Sequence, residues 1–158
     1  MPINYITYIG AKKLKFELHK LKTIERPKIT KLIAEARSHG DLSENAEYDY
    51  ARDKQRFLEH KIKNIENALL NSKIINYNIL KNKKAVLFGA TVKIKDLKLK
   101  KILQYQIVGD MESDLNNNKI SILSPMAKSL LGKSIGEIIY VDSPSGINSY
   151  KIVNILYI

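Results

Sequence analysis

Two long stretches of apolar residues at helical spacing, joined by one short turn, constrain this 158-residue chain more than any other feature. In the second stretch the apolar positions step by seven, four, three and four, which is the seam of a coiled coil. The seam residues are Ala51, Leu58, Ile62, Ile65 and Leu69. Because a short turn brings two such segments side by side, the pattern predicts an antiparallel helical hairpin.

Helix signals divide this region further. Thr7 can cap a first helix, and Gly40 is the residue type that commonly ends one. Pro27 fits best in the first turn of a helix, so we expect a break or kink at residues 22–26. After the turn, a second helix of roughly 28 residues would be on the order of 40 Å long. Residues 7–74 are therefore predicted to be helical.

The composition changes after about residue 80, where short β-rich runs begin. Strands are predicted at 85–88, 91–94, 103–108, 120–123, 138–141 and 150–156, and a short helix at 127–131. We therefore predict an α+β fold of two domains. Residues 1–76 form an antiparallel coiled-coil hairpin with an acidic tip, and residues 77–158 form a small, mainly antiparallel β-sheet domain with a short helix.

The charge of the chain points to a polyanionic partner. Its formal net charge is +11 and its pI is about 9.7, as is common in proteins that contact nucleic acid or ribonucleoprotein surfaces. Lysine greatly outnumbers arginine, which leaves few of the guanidinium forks that read bases. The same lysine, isoleucine and asparagine bias also arises from AT-rich codons, so both explanations stay open.

The sequence does not indicate a membrane protein or a secreted protein. No apolar run approaches the roughly 18 residues of a membrane span. Residues 1–7 lack the basic and apolar regions of a secretory signal. The chain has no cysteine, which excludes disulfides, thiolate metal sites and a cysteine nucleophile. We expect a cytoplasmic protein.

The turn of the hairpin is strongly acidic. Residues 38–51 contain four carboxylates and no Lys or Arg. Asp41 and Glu44 are three residues apart across the turn and could converge on a divalent cation such as Mg²⁺, with Glu47 in support. The same spacing also fits a capping box led by Asp41, with Ser43 as an alternative cap. Spacing alone leaves both interpretations open.

Little other chemistry is visible. Arg37 and Arg52 flank the acidic turn, either as ordinary helix-surface residues, with Arg52 paired to Asp49, or as phosphate contacts. The three histidines match no metal-ligand spacing, and there is no phosphate-binding glycine loop or nucleophile elbow. A chain of this kind is not expected to be an enzyme; it would contribute part of a site that another protein owns.

Several motifs resemble the bacterial Gre family of transcript cleavage factors. Arg26-Pro27 and residues 33–48, IAEARSHGDLSENAEY, are similar to the hairpin tip of that family. Residues 88–92 (FGATV), 107–110 (IVGD) and 120–133 (ISILSPMAKSLLGK) are similar to its C-terminal domain. The resemblance covers essentially the whole chain in order.

The resemblance implies a coiled coil followed by an FKBP-like domain. It also implies a factor that binds RNA polymerase through the secondary channel and stimulates the polymerase's own Mg²⁺-dependent cleavage of backtracked RNA. Asp41 and Glu44 match the acidic pair that helps to hold the second Mg²⁺ in the polymerase. Asp110, Ser124 and Pro125 fall in motifs of the domain that docks on the channel rim.

Further expectations concern partners. Arg37 and Arg52 could steer the hairpin toward RNA or the channel walls, near the RNA 3′ end. The isolated chain is expected to be a monomer and to hold no magnesium by itself. Two rival functions remain: a channel-binding regulator that does not promote cleavage, and a small prolyl isomerase with a helical arm, although an FKBP-like fold alone does not imply that activity.

Overall fold

The computed structural model describes residues 4–40, 45–80 and 83–158. Its helices are α1 (Tyr8–Lys20), α2 (Arg26–Arg37), α3 (Ala46–Asn71) and α4 (Pro125–Leu130). Its strands are β1 (Asn4–Thr7), β2 (Ser72–Ile75), β3 (Thr91–Asp96), β4 (Ile102–Val108), β5 (Lys119–Ser121), β6 (Ile138–Ser143) and β7 (Gly146–Leu156). The predicted α+β class is confirmed. None of the helices in these three ranges has the length and apolarity needed to span a bilayer.

The chain divides into two compact units. The helical unit is Ala11–Asn71, and the sheet unit joins the residues up to Gly10 to Ser72–Ile158. The predicted boundary at residue 76 thus differs from the observed division. The difference comes from β1 and β2, a parallel pair with Asn4 opposite Ser72 and Thr7 opposite Ile75. Sequence patterning placed residues 72–74 at the end of a helix, whereas they lie in a strand.

The helical unit is built around the predicted seam. Leu58, Ile62 and Ile65 of α3 are buried against Leu21, and Leu14, Leu18, Ile29 and Leu69 pack around them. Ala51 is also buried, closer to the turn. The spacing that predicted a coiled-coil seam is confirmed, and removal of these side chains from water supplies the main stabilisation of the hairpin.

Pro27 causes the predicted break in the first arm. Residues Leu21–Glu25 form a π-helical turn, in which the amide of Arg26 donates to the carbonyl of Leu21, five residues earlier. Pro27 has no amide hydrogen, so regular helical bonding cannot pass through this turn. The widened turn lets the helix continue into α2, with the proline in its first turn as expected.

The sheet unit holds a five-stranded sheet in the order β5-β4-β3-β7-β6. All neighbours are antiparallel except β4 and β5, which are parallel. Three of the four pairs are thus antiparallel, which confirms the predicted mainly antiparallel sheet, and the single parallel pair lies at its edge. The chain between β4 and β5 runs through two 3-10 turns, Asp110–Glu112 and Leu115–Asn117, and this detour returns it in the same direction.

The core of this unit lies between the sheet and α4. Its fully buried side chains include Val86, Val92, Ile94, Ile107, Leu130 and Ile152. The predicted strand at 85–88 is wrong: Ala85 makes a single bridge to Ser134. The hydroxyl of buried Tyr157 instead donates to the carbonyl of Ala85 at 2.6 Å and accepts from the amide of Leu87 at 3.0 Å. Val86 adds backbone bonds to Gly132 and Lys133, so one bridge and one side chain hold this segment in place of a strand ladder.

Glu112 anchors the start of α1 within the sheet unit. Its carboxylate accepts hydrogen bonds from the amide and hydroxyl of Thr7 and from the amide of Gly109. The Thr7 hydroxyl in turn accepts from the amide of Gly10 at 3.0 Å, which confirms the predicted cap. A β-carbon at Gly10 would lie 1.8 Å from a Glu112 oxygen, so a larger residue there would displace the Glu112 carboxylate from its hydrogen bonds.

Candidate functional site

The candidate metal-binding site predicted from the sequence lies at the turn of the hairpin. α2 ends at Arg37, and the amide of Gly40 donates to the Arg37 carbonyl at 3.3 Å. Gly40 has a φ of 104°, a conformation that glycine adopts without steric cost. The predicted stop at Gly40 is confirmed.

Asn45 links the two helices at this turn. Its side-chain oxygen accepts from the amide of Tyr48 at 3.1 Å, the characteristic bond of an N-cap, and α3 begins at the next residue. Its side-chain amide donates to the carbonyl of Ala36, near the end of α2, at 2.6 Å. One side chain therefore both starts α3 and ties it to α2. The chain ends that flank residues 41–44 are thereby held at a fixed separation.

Asp41 and Glu44, the two predicted magnesium ligands, lie outside the described residues, as does Ser43. The described start of α3 is Ala46, with Asn45 as its N-cap. This start lies four residues after the one that an Asp41 cap would give. The assignment of Asp41 and Glu44 as cation ligands stays a prediction.

Glu47 was predicted to support that pair. Its carboxylate lies 3.5 Å from Nε2 of His39, on the other side of the turn, and both side chains are exposed. Elsewhere in the parts of the chain that the structure describes, no group of three His, Asp or Glu side chains converges as a metal site. Carboxylate oxygens such as those of Asp41 and Glu44 are the hard ligands that suit Mg²⁺.

Arg37 and Arg52 come together along one groove between α2 and α3. Both side chains line it, with Thr30, Ile33, Ala34 and Gln55. The Arg37 guanidinium lies 5.8 Å from the ring centre of Tyr48, and Nη1 of Arg52 donates to Gln55 Oε1 at 3.0 Å.

The predicted surface pairing of Arg52 with Asp49 is not among the ion pairs of the described residues; its hydrogen bond runs forward along α3 to Gln55 instead. Nor does any described carboxylate form an ion pair with Arg37. Neither guanidinium on this groove is thus tied to a carboxylate among the described residues. Such groups can donate charge-assisted hydrogen bonds to a phosphate.

A second cluster forms in the sheet unit, where β5 ends. The Asp110 carboxylate accepts from the hydroxyl of Ser121 at 2.9 Å, and the Ser121 carbonyl accepts from the hydroxyl of Ser124 at 2.7 Å. The Ser124 hydroxyl also caps α4 by accepting from the Ala127 amide at 3.2 Å, and Pro125 occupies the first turn of that helix. The structure thus brings Asp110, Ser124 and Pro125 into one network.

Two exposed apolar side chains adjoin this network in the chain. Met111 and Leu123 are 52% and 60% exposed. Ser121, which joins the network, was not singled out from the sequence, although it lies in the 120–133 motif. Asn45 was also missed, and its residue type, a strong N-cap former before α3, was the available signal.

Comparison with known proteins gives consistent matches to both units. A family model described as "Transcription elongation factor, N-terminal" matches residues 4–74, and "Transcription elongation factor, GreA/GreB, C-term" matches residues 81–157. The transcription elongation factor GreA of Buchnera aphidicola subsp. Schizaphis graminum is 51% identical over 99% of both chains. The GreA of Thioalkalivibrio sulfidiphilus is 49% identical over 97% of both. Among solved structures, Gfh1 of Thermus thermophilus is 25% identical, covers 98% of this chain and 99% of its own, and has a TM-score of 0.44.

Proposed function

The chain belongs to the GreA/GreB family of transcription elongation factors, as a GreA-type member, and we propose that it stimulates RNA polymerase to cleave backtracked RNA. The hairpin enters the secondary channel of the polymerase and brings its acidic turn to the active site. The chain is a partner in catalysis and does not carry a complete active site. It acts in the cytoplasm, where the polymerase transcribes.

The observation that supports this most directly is the clamp at Asn45. It holds the end of α2 to the start of α3, the two points of the chain between which residues 41–44 lie. Fixed chain ends reduce the conformational entropy that a connecting segment loses on binding, which favours delivery of carboxylates to a weakly held ion.

Asp41 and Glu44 would hold Mg²⁺ jointly with the polymerase. When bound, such an ion stabilises charge on the attacking and leaving oxygens during phosphodiester hydrolysis. Either carboxylate can also orient the attacking water and accept its proton. We assign Asp41 mainly to the ion and Glu44 to the ion or the water.

The two other groups of residues serve binding. Arg37 and Arg52, on their shared groove, contact phosphates of the RNA near its 3′ end or the channel wall. The network of Asp110, Ser124 and Pro125 docks on the rim of the channel. Since the hairpin satisfies its own seam, no second copy is needed to bury it, and the chain works as a monomer.

The test is a cleavage assay on a purified, backtracked elongation complex with Mg²⁺. Asp41→Asn and Glu44→Gln should each abolish stimulated cleavage, while competition for the polymerase is retained. Asp49→Asn, the same charge change within the acidic window, is the matched control and should remain active. Full stimulation by both tip variants would refute the mechanism, and wild-type occupancy of the polymerase without cleavage would favour a regulator of another kind.

A further inference from the structure

The five-stranded sheet has a solvent-exposed face that the proposed function does not use. Strand pairing places four residues in one row across the centre of this face. Lys95 of β3 lies opposite Ile102 of β4 on one side and opposite Lys151 of β7 on the other. Lys151 in turn lies opposite Ile138 of β6. At about 4.8 Å between strands, this row spans roughly 14 Å. All four side chains are exposed, with Ile102 at 60% and Ile138 at 47%. We call this surface the outer sheet face.

The charge of this face has one dominant sign. Lys95 and Lys151 are directly opposed across an antiparallel pair, an arrangement that costs stability. Lys93 lies two residues along β3 on the same side, and exposed Lys98, Lys100 and Lys101 follow in the loop to β4. None of these lysines is in an ion pair with any carboxylate of the described residues.

The carboxylates nearest to these lysines in the chain do not neutralise them. Asp96 is buried, and its carboxylate accepts from the amides of Lys98 and Leu99, which holds the lysine loop in place. Asp142 is exposed on the outer sheet face but lies at the end of β6, beside the turn to β7. The central row therefore stays cationic.

An exposed aromatic ring completes the surface. Tyr140 of β6 is 67% exposed, lies on the same side of the strand as Ile138, and is diagonal to Lys151. Its own carbonyl accepts from the hydroxyl of Ser129 at 3.3 Å, which helps to fix the strand there. Proteins that bind single-stranded nucleic acid stack its bases on aromatic side chains and contact its phosphates with cationic ones. This face has both kinds of group side by side.

We propose that the outer sheet face, centred on Lys95, Lys151 and Tyr140, binds single-stranded nucleic acid without base specificity. Lysine point charges contact the backbone, and the tyrosine ring stacks on a base. The sheet unit would then have a binding site for a transcript or an exposed DNA strand, and this site is separate from the hairpin turn.

The first experiment measures anisotropy of a fluorescein-labelled oligouridylate titrated with the full-length chain, without polymerase, from about 50 to 200 mM salt. Lys93→Gln/Lys95→Gln/Lys151→Gln should reduce the slope of log K against log salt by about 2, since each lost single-strand phosphate contact removes roughly 0.7. The control Lys84→Gln/Lys128→Gln/Lys133→Gln makes the same charge change at exposed lysines of the same unit. An equal loss in both variants would overturn the proposal.

The second experiment separates stacking from charge. Tyr140→Leu should weaken oligouridylate binding roughly tenfold, whereas Tyr140→Phe should retain it. Binding of inorganic polyphosphate, which has no bases, should be the same for both. If Tyr140→Leu binds oligouridylate like the parent chain, the face is a general polyanion patch and the proposal fails. Because no polymerase is present, either result leaves the cleavage proposal to its own test.

Discussion

Asn45 offers the sharpest test of how the hairpin turn is built. Replacement by alanine removes the cap of α3 and the bond to the Ala36 carbonyl together. Loss of an N-cap costs about 1 kcal/mol, and loss of one side-chain hydrogen bond costs about 1 kcal/mol more. The cost of losing the bond to Ala36 is no larger than this, because the Ala36 carbonyl keeps a second donor, the amide of His39 at 3.2 Å. Asn45→Ala should therefore lower the free energy required to open the turn by about 2 kcal/mol.

Amide hydrogen exchange measures this opening directly. A change of about 2 kcal/mol corresponds to roughly 30-fold faster exchange at the first amides of α3, with Tyr48 the most affected. Asn45→Asp retains the capping oxygen but not the donor to Ala36, so its exchange should accelerate only about fivefold. Asn67→Ala, an exposed site further along α3, is the control and should leave these amides unchanged.

The same variants connect the clamp to function. Asn45→Ala should still compete for polymerase but stimulate cleavage less, because residues 41–44 lose their fixed base. Asn45→Asp should lie between it and the parent chain. If exchange at Tyr48 in Asn45→Ala matched the parent chain, the clamp would not hold the turn. If exchange increased while cleavage did not change, pre-organisation of the acidic residues would be refuted.

Three further variants test the rest of the fold. Tyr157→Phe should destabilise the sheet unit by about 1–3 kcal/mol in thermal unfolding, because the Ala85 and Leu87 backbone groups lose their partner. Burial raises the pKa of Tyr157 above 10.0, so the folded state keeps a proton that the unfolded chain releases; stability should fall as pH rises above 10, and less so in Tyr157→Phe. Glu112→Gln should increase amide exchange at Thr7 and Gly10, since a charged acceptor for α1 is lost. Ile62→Ala should destabilise the hairpin by about 2–5 kcal/mol in urea unfolding, because Ile62 is 3% exposed within the seam.

The helical unit could be predicted closely because its signals are local and repeated. Seam positions recur every three or four residues over much of α3, and a single proline marks the break between α1 and α2. Such periodicity depends only on one helix face being buried. It identifies that face without knowledge of any partner segment.

The strands were harder to predict where pairing depends on distant residues. β1 and β2 are four residues each, lie more than sixty positions apart, and adjoin helices, so they carry no pattern of their own. At 85–88, Ala85 and Leu87 bond to a tyrosine hydroxyl about seventy residues away, and Val86 bonds to the backbone of Gly132 and Lys133. Neither arrangement leaves a periodic trace, because each is a tertiary contact between segments that are individually ambiguous.

The acidic turn shows how far the sequence alone can assign a role. The spacing of Asp41-x-x-Glu44 favours a capping box over an ion site, and it leaves both interpretations open. In the structure α3 begins at Ala46 with Asn45 as its N-cap, four residues after the start that an Asp41 cap would give. Asp41 and Glu44 lie outside the described residues, so their role as ion ligands stays a prediction, which the cleavage assay of Asp41→Asn and Glu44→Gln tests.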